Sequence, residues 1–395
     1  MPPRRACFVI ACGVWLAACS GPKSSAPASA FQAAEAAVTV GGRKAVTLTQ
    51  SHTANSNVPQ ILGVDILPGR GMNIYQVRAY LPGRGETNLL EAPSLEEAAR
   101  LMDGGPDDAN ASQSFRMGGA ILVPFANRIR GQLLPDGRTL ETTILGKKVR
   151  LVANWKGKNP RAEPHAMHGL ILGTPMDKVD LASTSEEASA TATLDAGDFG
   201  GHWLSKTALA IHASLRAAAF RFDVTARNVG AADLPIGIGW HPYFVFPSGD
   251  REQARLHIPA RQTAVVDNYD DVFPTGQLVP VAGTPYDFSS PQGAPLAKLF
   301  LDDCFVDLEK NADGQAVAEV IDPKARYGLR VRALSPEVSA FQAYAPVDKN
   351  FVALEPQFNW ADPYSPIWKG KNTGMKVLKP GESVTYSVQL ELYVP

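Results

Sequence analysis

Cysteine is scarce in this sequence, and its positions leave no pair for a disulfide in the mature chain. Four cysteines occur in 395 residues. Cys7 and Cys12 lie in a predicted leader and Cys19 is a predicted modification site, so only Cys304 remains for the folded part. Stability must therefore come from a large core rather than from cross-links. We expect Cys304, which precedes Phe305, to be buried as a small hydrophobe.

Strong net charge is also absent. The formal charge is −1 at pH 7 with histidine neutral, so the composition does not predict binding to nucleic acid. The Gly-x-Ser-x-Gly nucleophile motif, the phosphate-binding loop, the dinucleotide fingerprint and the spacing of zinc ligands are all missing. We therefore expect neither a metal site nor an organic cofactor.

The amino terminus carries the one segment that we exclude from the fold. Arg4 and Arg5 precede apolar residues 6–18, a run too short to span a bilayer and typical of a secretory leader. The run ends in Leu-Ala-Ala before Cys19, which resembles the bacterial lipobox, where the cysteine thiol takes a lipid. We predict a signal peptide at 1–18 and an exported protein, anchored to a bacterial membrane on the periplasmic side only through Cys19. The alternative is an ordinary signal peptide with an incidental cysteine.

Residues 19–34 are rich in Ser, Ala, Pro and Lys, which predicts a flexible linker. No repeat, second linker or change of composition follows, so residues 35–395 are predicted to form one large domain. The alternation of apolar and polar residues in 190–194, 209–215 and 219–225 predicts antiparallel strands with one solvent-facing side. The 34 glycines and 31 prolines suit many short strands and turns.

Two local predictions concern the elements themselves. Residues 36–50 predict two strands joined at a Gly-Gly turn. Residues 94–102 predict the clearest helix, with Ser94 as its N-cap and Glu97 completing a capping box. The helix is short and isolated, so the expected class remains all-β.

Three segments carry side chains that could do chemistry. Glu355 lies in an apolar run, where burial of a carboxylate is costly unless a partner or a function compensates, and we interpret it as a base. His241 lies between Trp240 and Pro242, which predicts a histidine presented at a strand end where the proline stops ladder pairing; a core histidine is the alternative. Arg128 offers donors in a fixed fork, although a surface turn would also explain it.

His165 and His168 are three residues apart, which raises the question of a metal. We discount it because no Cys or carboxylate cluster lies nearby and Pro164 argues against a helix that would align the two rings. Asp302 and Asp303 lie together between predicted strands, where a turn with solvated acids is the alternative.

In residues 341–344, successive side chains of a strand would point to opposite faces, which places Gln342 and Tyr344 on the same face. Each of these motifs is weak when it is taken alone. Taken together and in order, they resemble the aldose 1-epimerase (galactose mutarotase) family from about Ile61 to the C-terminus. The segments that carry the resemblance are Asn127-Arg128-Ile129, His168-Gly169, His241-Pro242-Tyr243-Phe244, Asp302-x-x-Phe305, Phe341-Gln342-Ala343-Tyr344 and Leu354-Glu355-Pro356-Gln357.

The resemblance implies a large antiparallel β-supersandwich and the interconversion of the α and β anomers of a free aldose. Glu355 would be the general base and His241 the general acid, held on opposite sides of the sugar ring. The base would take the proton of the anomeric hydroxyl while the acid protonates the ring oxygen, and the roles would reverse on closure. Contacts to substrate hydroxyls would fall on Asn127, Arg128, His168, Asp302 and Gln342. The expected partner is a small sugar, and a monomer or dimer is expected.

Two other functions stay open. The first is a non-catalytic periplasmic carbohydrate-binding lipoprotein on the same scaffold, which would not need both Glu355 and His241. The second is polysaccharide hydrolysis or lysis. Hydrolysis normally uses two carboxylates that flank the bond, and Asp302 and Glu355 could supply them, but the histidine motif would then be unexplained.

Overall fold

The computed structural model describes Met1 and residues 30–52 and 57–395. The predicted signal peptide, Cys19 and the first part of the predicted linker lie outside the described residues. The structure is mostly β, with 49% strand and 7% helix in antiparallel sheets, which confirms the expected fold class. Within the described residues, every helix is too short or too polar to cross a bilayer.

The strands are numbered in chain order. The first ten are β1 (Phe31–Val40), β2 (Arg43–Gln50), β3 (Gln60–Leu67), β4 (Asn73–Leu81), β5 (Gly85–Asn88), β6 (Gly119–Leu122), β7 (Arg128–Ile129), β8 (Gln132–Leu133), β9 (Thr139–Ile144) and β10 (Lys147–Val152). The next ten are β11 (Ala166–Met167), β12 (Lys178–Ser183), β13 (Glu187–Gly197), β14 (Thr207–Arg216), β15 (Ala219–Asn228), β16 (Leu234–Ile236), β17 (Gly239–Val245), β18 (Arg255–His257), β19 (Ala260–Val266) and β20 (Pro274–Pro280). The last eight are β21 (Ala294–Pro295), β22 (Leu301–Leu308), β23 (Ala316–Asp322), β24 (Tyr327–Ala333), β25 (Ala340–Ala345), β26 (Phe351–Gln357), β27 (Lys376–Leu378) and β28 (Ser383–Tyr393).

Helical structure is confined to short pieces. The α-helix α1 spans Leu95–Leu101, and 3-10 turns occupy Pro68–Arg70, Pro106–Phe115, Pro323–Ala325 and Pro366–Trp368. The hydroxyl of Ser94 accepts a hydrogen bond from the Glu97 backbone N–H at 3.2 Å, which satisfies one of the free donors at the helix start. The predicted helix and its N-cap are thus confirmed.

Three larger sheets form the body of the protein. A five-stranded sheet has the order β1-β2-β3-β4-β5, a nine-stranded sheet β12-β13-β14-β15-β28-β24-β23-β18-β21, and a seven-stranded sheet β20-β19-β22-β25-β26-β17-β6. One continuous hydrophobic core includes Val64 from the first, Phe222 from the second and Phe341 from the third. Burial of this shared apolar surface holds the sheets together, and Cys304, the one cysteine of the described residues, is free.

The first strand corrects the predicted domain boundary. β1 begins at Phe31 and pairs with β2 from Phe31↔Gln50 to Val40↔Arg43, so residues 31–34 are strand and not linker. The Ser/Ala/Pro-rich sequence before Phe31 hid the start of this strand, whose backbone is satisfied by pairing with β2. The predicted Gly-Gly turn is confirmed, because Gly41 and Gly42 both have positive φ, 59° and 80°.

The seven-stranded sheet positions the polar residues because its two faces meet different surroundings. Successive residues of a strand point to opposite faces. Phe305, Phe341 and Leu354 point into the hydrophobic core. The residues next to them along their strands point to the other face, over which a cleft lies.

Candidate active site

Strand register brings three polar side chains into one row. Gln342 of β25 is paired with Glu355 of β26. On the other side of β26, β17 pairs at Gly239↔Gln357 and at Tyr243↔Ala353, and stepping two residues inward from either pair sets His241 opposite Glu355. Residues that face each other across adjacent strands point to the same side of a sheet, so all three side chains reach the cleft.

His241 lies inside β17 and not at a strand end, which corrects the prediction from Pro242. A proline lacks the N–H that a ladder needs, and β17 has no paired residue on β26 between Gly239 and Tyr243. The register is nevertheless the same on both sides of this gap, and on its other edge β17 stays paired with β6 through Pro242↔Gly119. The proline therefore interrupts one ladder beside His241 without ending the strand.

Glu355 and His241 are in direct contact. The Oε1 atom of Glu355 lies 3.2 Å from Nε2 of His241, and the side-chain N–H of Gln357 donates to Oε2 of Glu355 at 2.8 Å. Glu355 is 1% exposed and His241 5%. Gln357 was not among the predicted site residues, although it lies two residues after Glu355, and the strand period alone places both on one face.

Burial changes the acidity of both groups in opposite directions. Loss of solvent raises the pKa of Glu355 well above its ordinary value, with the Asp302 carboxylate adding to the effect. Loss of solvent lowers the pKa of His241 to about 3, and the Arg128 charge contributes in the same direction. Both shifts favour the neutral forms, a protonated Glu355 and an uncharged His241, as expected when charge is removed from water.

Arg128 and Asp302 form a second polar cluster on the wall of the cleft. Arg128 Nη2 donates to Asp302 Oδ2 at 3.0 Å, and Gln342 Nε2 donates to Asp302 Oδ1 at 2.7 Å. Burial raises the pKa of Asp302, while the Arg128 guanidinium opposes that rise. The neighbouring Asp303 instead accepts a hydrogen bond from the Tyr269 hydroxyl at 2.7 Å, so of the two adjacent acids Asp302 is the one bonded to Arg128.

Asn127 is placed differently from the prediction of a direct substrate contact. Its side chain is 0% exposed and lies behind the cleft wall. Its Nδ2 donates to Gln342 Oε1 at 2.9 Å, and its Oδ1 accepts from Arg128 Nη1 at 3.0 Å. Both bonds go to residues of the cleft wall, so the geometry gives Asn127 the role of holding Gln342 and Arg128 in place.

His168 reaches the site from a different part of the chain. Met167 of β11 pairs with Arg128 of β7, and His168 follows with φ 63°. Its ring lies 4.8 Å from that of His241 in an edge-on arrangement. Burial holds the pKa of His168 well below its ordinary value, with His241 and Arg128 contributing.

His165, by contrast, lies away from the cleft. Its Nδ1 contacts the Glu163 carbonyl at 2.9 Å and its ring packs against Phe273. The two histidines therefore do not converge. Within the described residues, no group of three or more His, Cys, Asp or Glu side chains is arranged to hold a metal ion.

The cleft encloses about 730 Å³, and aromatic side chains form much of its wall. The aromatic residues that line it are Phe115, Trp155, Tyr243, Tyr269, Phe300, Tyr344 and Phe351. Of these, Tyr243 also donates its hydroxyl to the Phe115 carbonyl at 2.9 Å. Phe115, Trp155, Tyr269 and Phe300 come from loops or 3-10 turns and were missed, because loop sequence gives no periodic signal of where a side chain points. For Phe300 one signal existed: it lies two residues before Asp302.

Solved structures share this fold. A galactose mutarotase-like protein from Clostridium acetobutylicum superposes with a TM-score of 0.70 at 16% identity, covering 92% of this chain and 99% of that protein. The aldose epimerase homologue from C. elegans gives 0.63 at 17% identity, covering 85% and 97%. Galactose 1-epimerase from Lactobacillus acidophilus gives 0.61 at 17% identity, covering 92% and 98%.

The family model of aldose 1-epimerase matches residues 93–391. The match begins later than Ile61, where the resemblance read from the motifs began. It includes the seven-stranded sheet, all but the last two residues of the nine-stranded sheet and all of the candidate residues in the cleft, and it spans well over half of the sequence. The chain therefore belongs to the aldose 1-epimerase family.

Proposed function

We propose that the protein is an active aldose 1-epimerase that interconverts the anomers of a free sugar, with Glu355 as general base and His241 as general acid. The observation that carries the proposal is the 3.2 Å contact between Glu355 Oε1 and His241 Nε2 in the wall of a cleft. A protein that only bound sugar would not need a buried carboxyl group and imidazole in contact.

The contact requires one change to the expected arrangement. The two groups are side by side and do not lie on opposite sides of a ring. The reaction suits this better, because the anomeric hydroxyl and the ring oxygen are bonded to the same carbon. A base and an acid that converge at that carbon can reach both oxygens at once, and acid–base catalysis depends on such reach.

The pKa shifts suit the proton transfers. A raised pKa makes the Glu355 carboxylate a stronger base towards the anomeric hydroxyl. A lowered pKa makes the protonated His241 a stronger acid towards the ring oxygen. The reacting form of the pair has its ionisable proton on His241 and none on Glu355. Ring opening then moves one proton onto Glu355 and another off His241, which returns the neutral pair that burial favours. Ring closure on the other face of the aldehyde reverses both transfers.

The second polar cluster supplies binding and orientation. Arg128, Gln342 and Asp302 line the cleft beside the pair, and sugar hydroxyls can both donate and accept hydrogen bonds. His168, next to His241, offers a further partner. Fixing the sugar beside the pair adds the advantage of proximity. Both Asp302 oxygens already accept hydrogen bonds from Arg128 and Gln342, which argues against Asp302 as the second carboxylate of a hydrolase.

The test is the rate at which freshly dissolved α-anomers lose their initial optical rotation. We expect purified residues 20–395 to accelerate the change for at least one of glucose, galactose, xylose and arabinose. Glu355→Gln and His241→Asn should each lower kcat by about 10²- to 10⁴-fold, the usual contribution of such groups. If wild type accelerates none of these sugars beyond buffer, the epimerase proposal is wrong, and sugar binding without catalysis becomes the better explanation.

A further inference from the structure

The aromatic wall of the cleft continues well beyond the acid–base pair. Starting at His241, successive ring centroids lie 4.7 Å apart to Tyr243 and 5.0 Å to Phe351. The series then runs 6.4 Å to Tyr344 and 6.5 Å to Phe300. A last step of 5.4 Å reaches Tyr269, a residue on the loop before β20.

This series leads from the buried floor of the cleft to solvent. Exposure is 5% at His241, 7% at Tyr243 and 9% at Phe351, and it reaches 37% at Phe300 and 39% at Tyr269. Phe300 and Tyr269 are the two most exposed of the Phe, Tyr and Trp side chains in the described part of the chain. Large apolar side chains that are grouped at the surface mark places where something binds.

A third aromatic ring belongs to the same outer region. Trp155 lines the cleft and carries the guanidinium of Arg116 at 5.3 Å from its ring. Its loop packs directly on the loop of Tyr269: Asn159 donates to the Asp270 carboxylate at 2.7 Å. A Cβ added at Gly157 would come within 1.9 Å of the Asp270 carbonyl oxygen, so glycine allows the two loops to touch and form one rim.

The size and charge of the outer region narrow the class of ligand. The cleft volume of about 730 Å³ lies within the range of about 300–1,000 Å³ that holds drug-sized ligands. A single hexose is much smaller than such a ligand, so the cleft has room for more than one sugar unit. Charges of both signs line the cleft near its rim: Arg116, Lys158 and Lys349 with Glu91 and Asp270. A mixed rim suits hydroxyl groups, whereas an anionic ligand would favour a single positive field.

We infer that the outer half of the cleft is a second sugar subsite, built from Phe300, Tyr269 and Trp155, and that the preferred substrate is the reducing end of an oligosaccharide. The inference rests on the proposed function, since it sets the reducing sugar at Glu355 and His241. The apolar C–H faces of the next sugar unit lie against the aromatic rings, and its hydroxyl groups meet the charged rim. Area removed from water at these rings adds affinity for the longer ligand only.

The test compares each monosaccharide with a disaccharide that ends in it: glucose with maltose and cellobiose, and xylose with xylobiose. Exchange between anomeric signals of the reducing unit, followed by NMR, gives kcat/KM for each sugar. We expect at least one disaccharide to exceed its monosaccharide by about tenfold, a difference that a stacked ring can supply. Phe300→Ala should remove most of that advantage and Phe300→Tyr should keep it. Leu133→Ala, at an equally exposed apolar residue of β8, should behave as wild type.

The outcomes separate this inference from the proposed function. If wild type converts monosaccharides but prefers no disaccharide, or if glucose 6-phosphate is the best substrate whatever residue stands at 300, the second subsite is wrong and the epimerase proposal stands. If nothing is converted, calorimetric binding of the same sugars decides. Tighter binding of a disaccharide that is lost in Phe300→Ala would support the subsite without the enzyme, and equal binding would refute it.

Discussion

Leu354 and Glu355 are neighbours on β26, and both are almost completely buried, at 0% and 1% exposure. Leu354 packs in the hydrophobic core, whereas Glu355 meets His241 and Gln357 in the cleft wall. The same contrast separates Phe341 from Gln342 on β25 and Trp240 from His241 on β17. On one face of the sheet the buried side chains are apolar and pack in the core, and on the other face they are polar and line the cleft.

The difference lies in the surroundings that each face provides. Removing an apolar side chain from water contributes about 1.5–3 kcal/mol to stability. Removing a carboxylate from water opposes folding unless partners compensate, and the shifted pKa values of Glu355 and His241 show that this compensation is incomplete. The apolar face of the sheet therefore stabilises the fold. We propose that the polar face serves catalysis and that burial of its ionisable groups lowers the free energy of unfolding.

The largest effect that separates the faces is expected for Leu354→Ala. Loss of a buried leucine with the cavity left behind should lower the free energy of unfolding by about 2–5 kcal/mol. Because the side chain points away from the cleft, kcat of the folded variant should stay close to wild type. Chemical denaturation measures the change in stability, and kcat at saturating sugar measures the change in catalysis.

Glu355→Gln is the matched neighbour, for which we expect the reverse: catalysis lost and stability kept or raised. If each variant loses both stability and kcat, the two faces do not have separate roles in stability and catalysis.

The pH dependence of stability gives the next largest effect. Burial raises the pKa of Glu355 well above its ordinary value of 4.5. Above pH 4.5 the unfolded chain releases this proton while the folded protein retains it, so stability falls as pH rises. Compared with Glu355→Gln, wild type should lose about 1.4 kcal/mol per pH unit until the folded pKa is reached.

The buried His241 gives the opposite pH dependence, a loss of stability as pH falls, and serves as an internal control. Its pKa of about 3, below the ordinary 6.5, means that the unfolded chain takes up a proton that the folded protein refuses as pH falls below 6.5. That loss on the acid side should persist in Glu355→Gln. Urea unfolding at a series of pH values measures both slopes. Parallel curves for wild type and Glu355→Gln above pH 4.5 would show that burial does not hold the proton on Glu355.

The smallest effect is expected behind the cleft wall, at Asn127. Asn127→Gly removes the hydrogen bonds to Gln342 and Arg128, each worth roughly 1 kcal/mol, and glycine adopts the φ of 62° without strain. We expect KM to rise roughly fivefold with kcat little changed, because Asn127 acts through its neighbours. Asn127→Ala should show the same KM and a lower melting temperature, since its Cβ is strained at this φ. A fall in kcat that exceeds the rise in KM would instead indicate contact with the reacting sugar.

Patterns of residues close together in the sequence predicted several parts of the fold and of the candidate site. The hairpin at 36–50, the N-cap at Ser94 and the shared face of Gln342 and Tyr344 depend on residues a few positions apart, and the structure confirms them. The family was identified from short motifs in order, because such motifs keep their order even when overall identity to solved structures is only 16–17%.

What the sequence could not predict depends on contacts between distant residues. Asn127 and Gln342 are 215 positions apart, so the bond that turns Asn127 away from the cleft leaves no local trace. The meeting of Glu355 with His241 depends on a register between strands separated by more than a hundred residues. The strand at 31–34 depends on its partner β2 and on burial of Phe31 in the core, both of which involve distant residues.

The order of strands in the nine-stranded sheet has a consequence for synthesis. β28, which spans Ser383–Tyr393, lies between β15 and β24 near the middle of that sheet. A ribosome-bound chain that has not yet released these residues holds two half-sheets with open edges facing each other and nothing to join them. Such edges are prone to pair with other chains, so we expect incorrect pairing to be most frequent after β24 is made and before β28 is released.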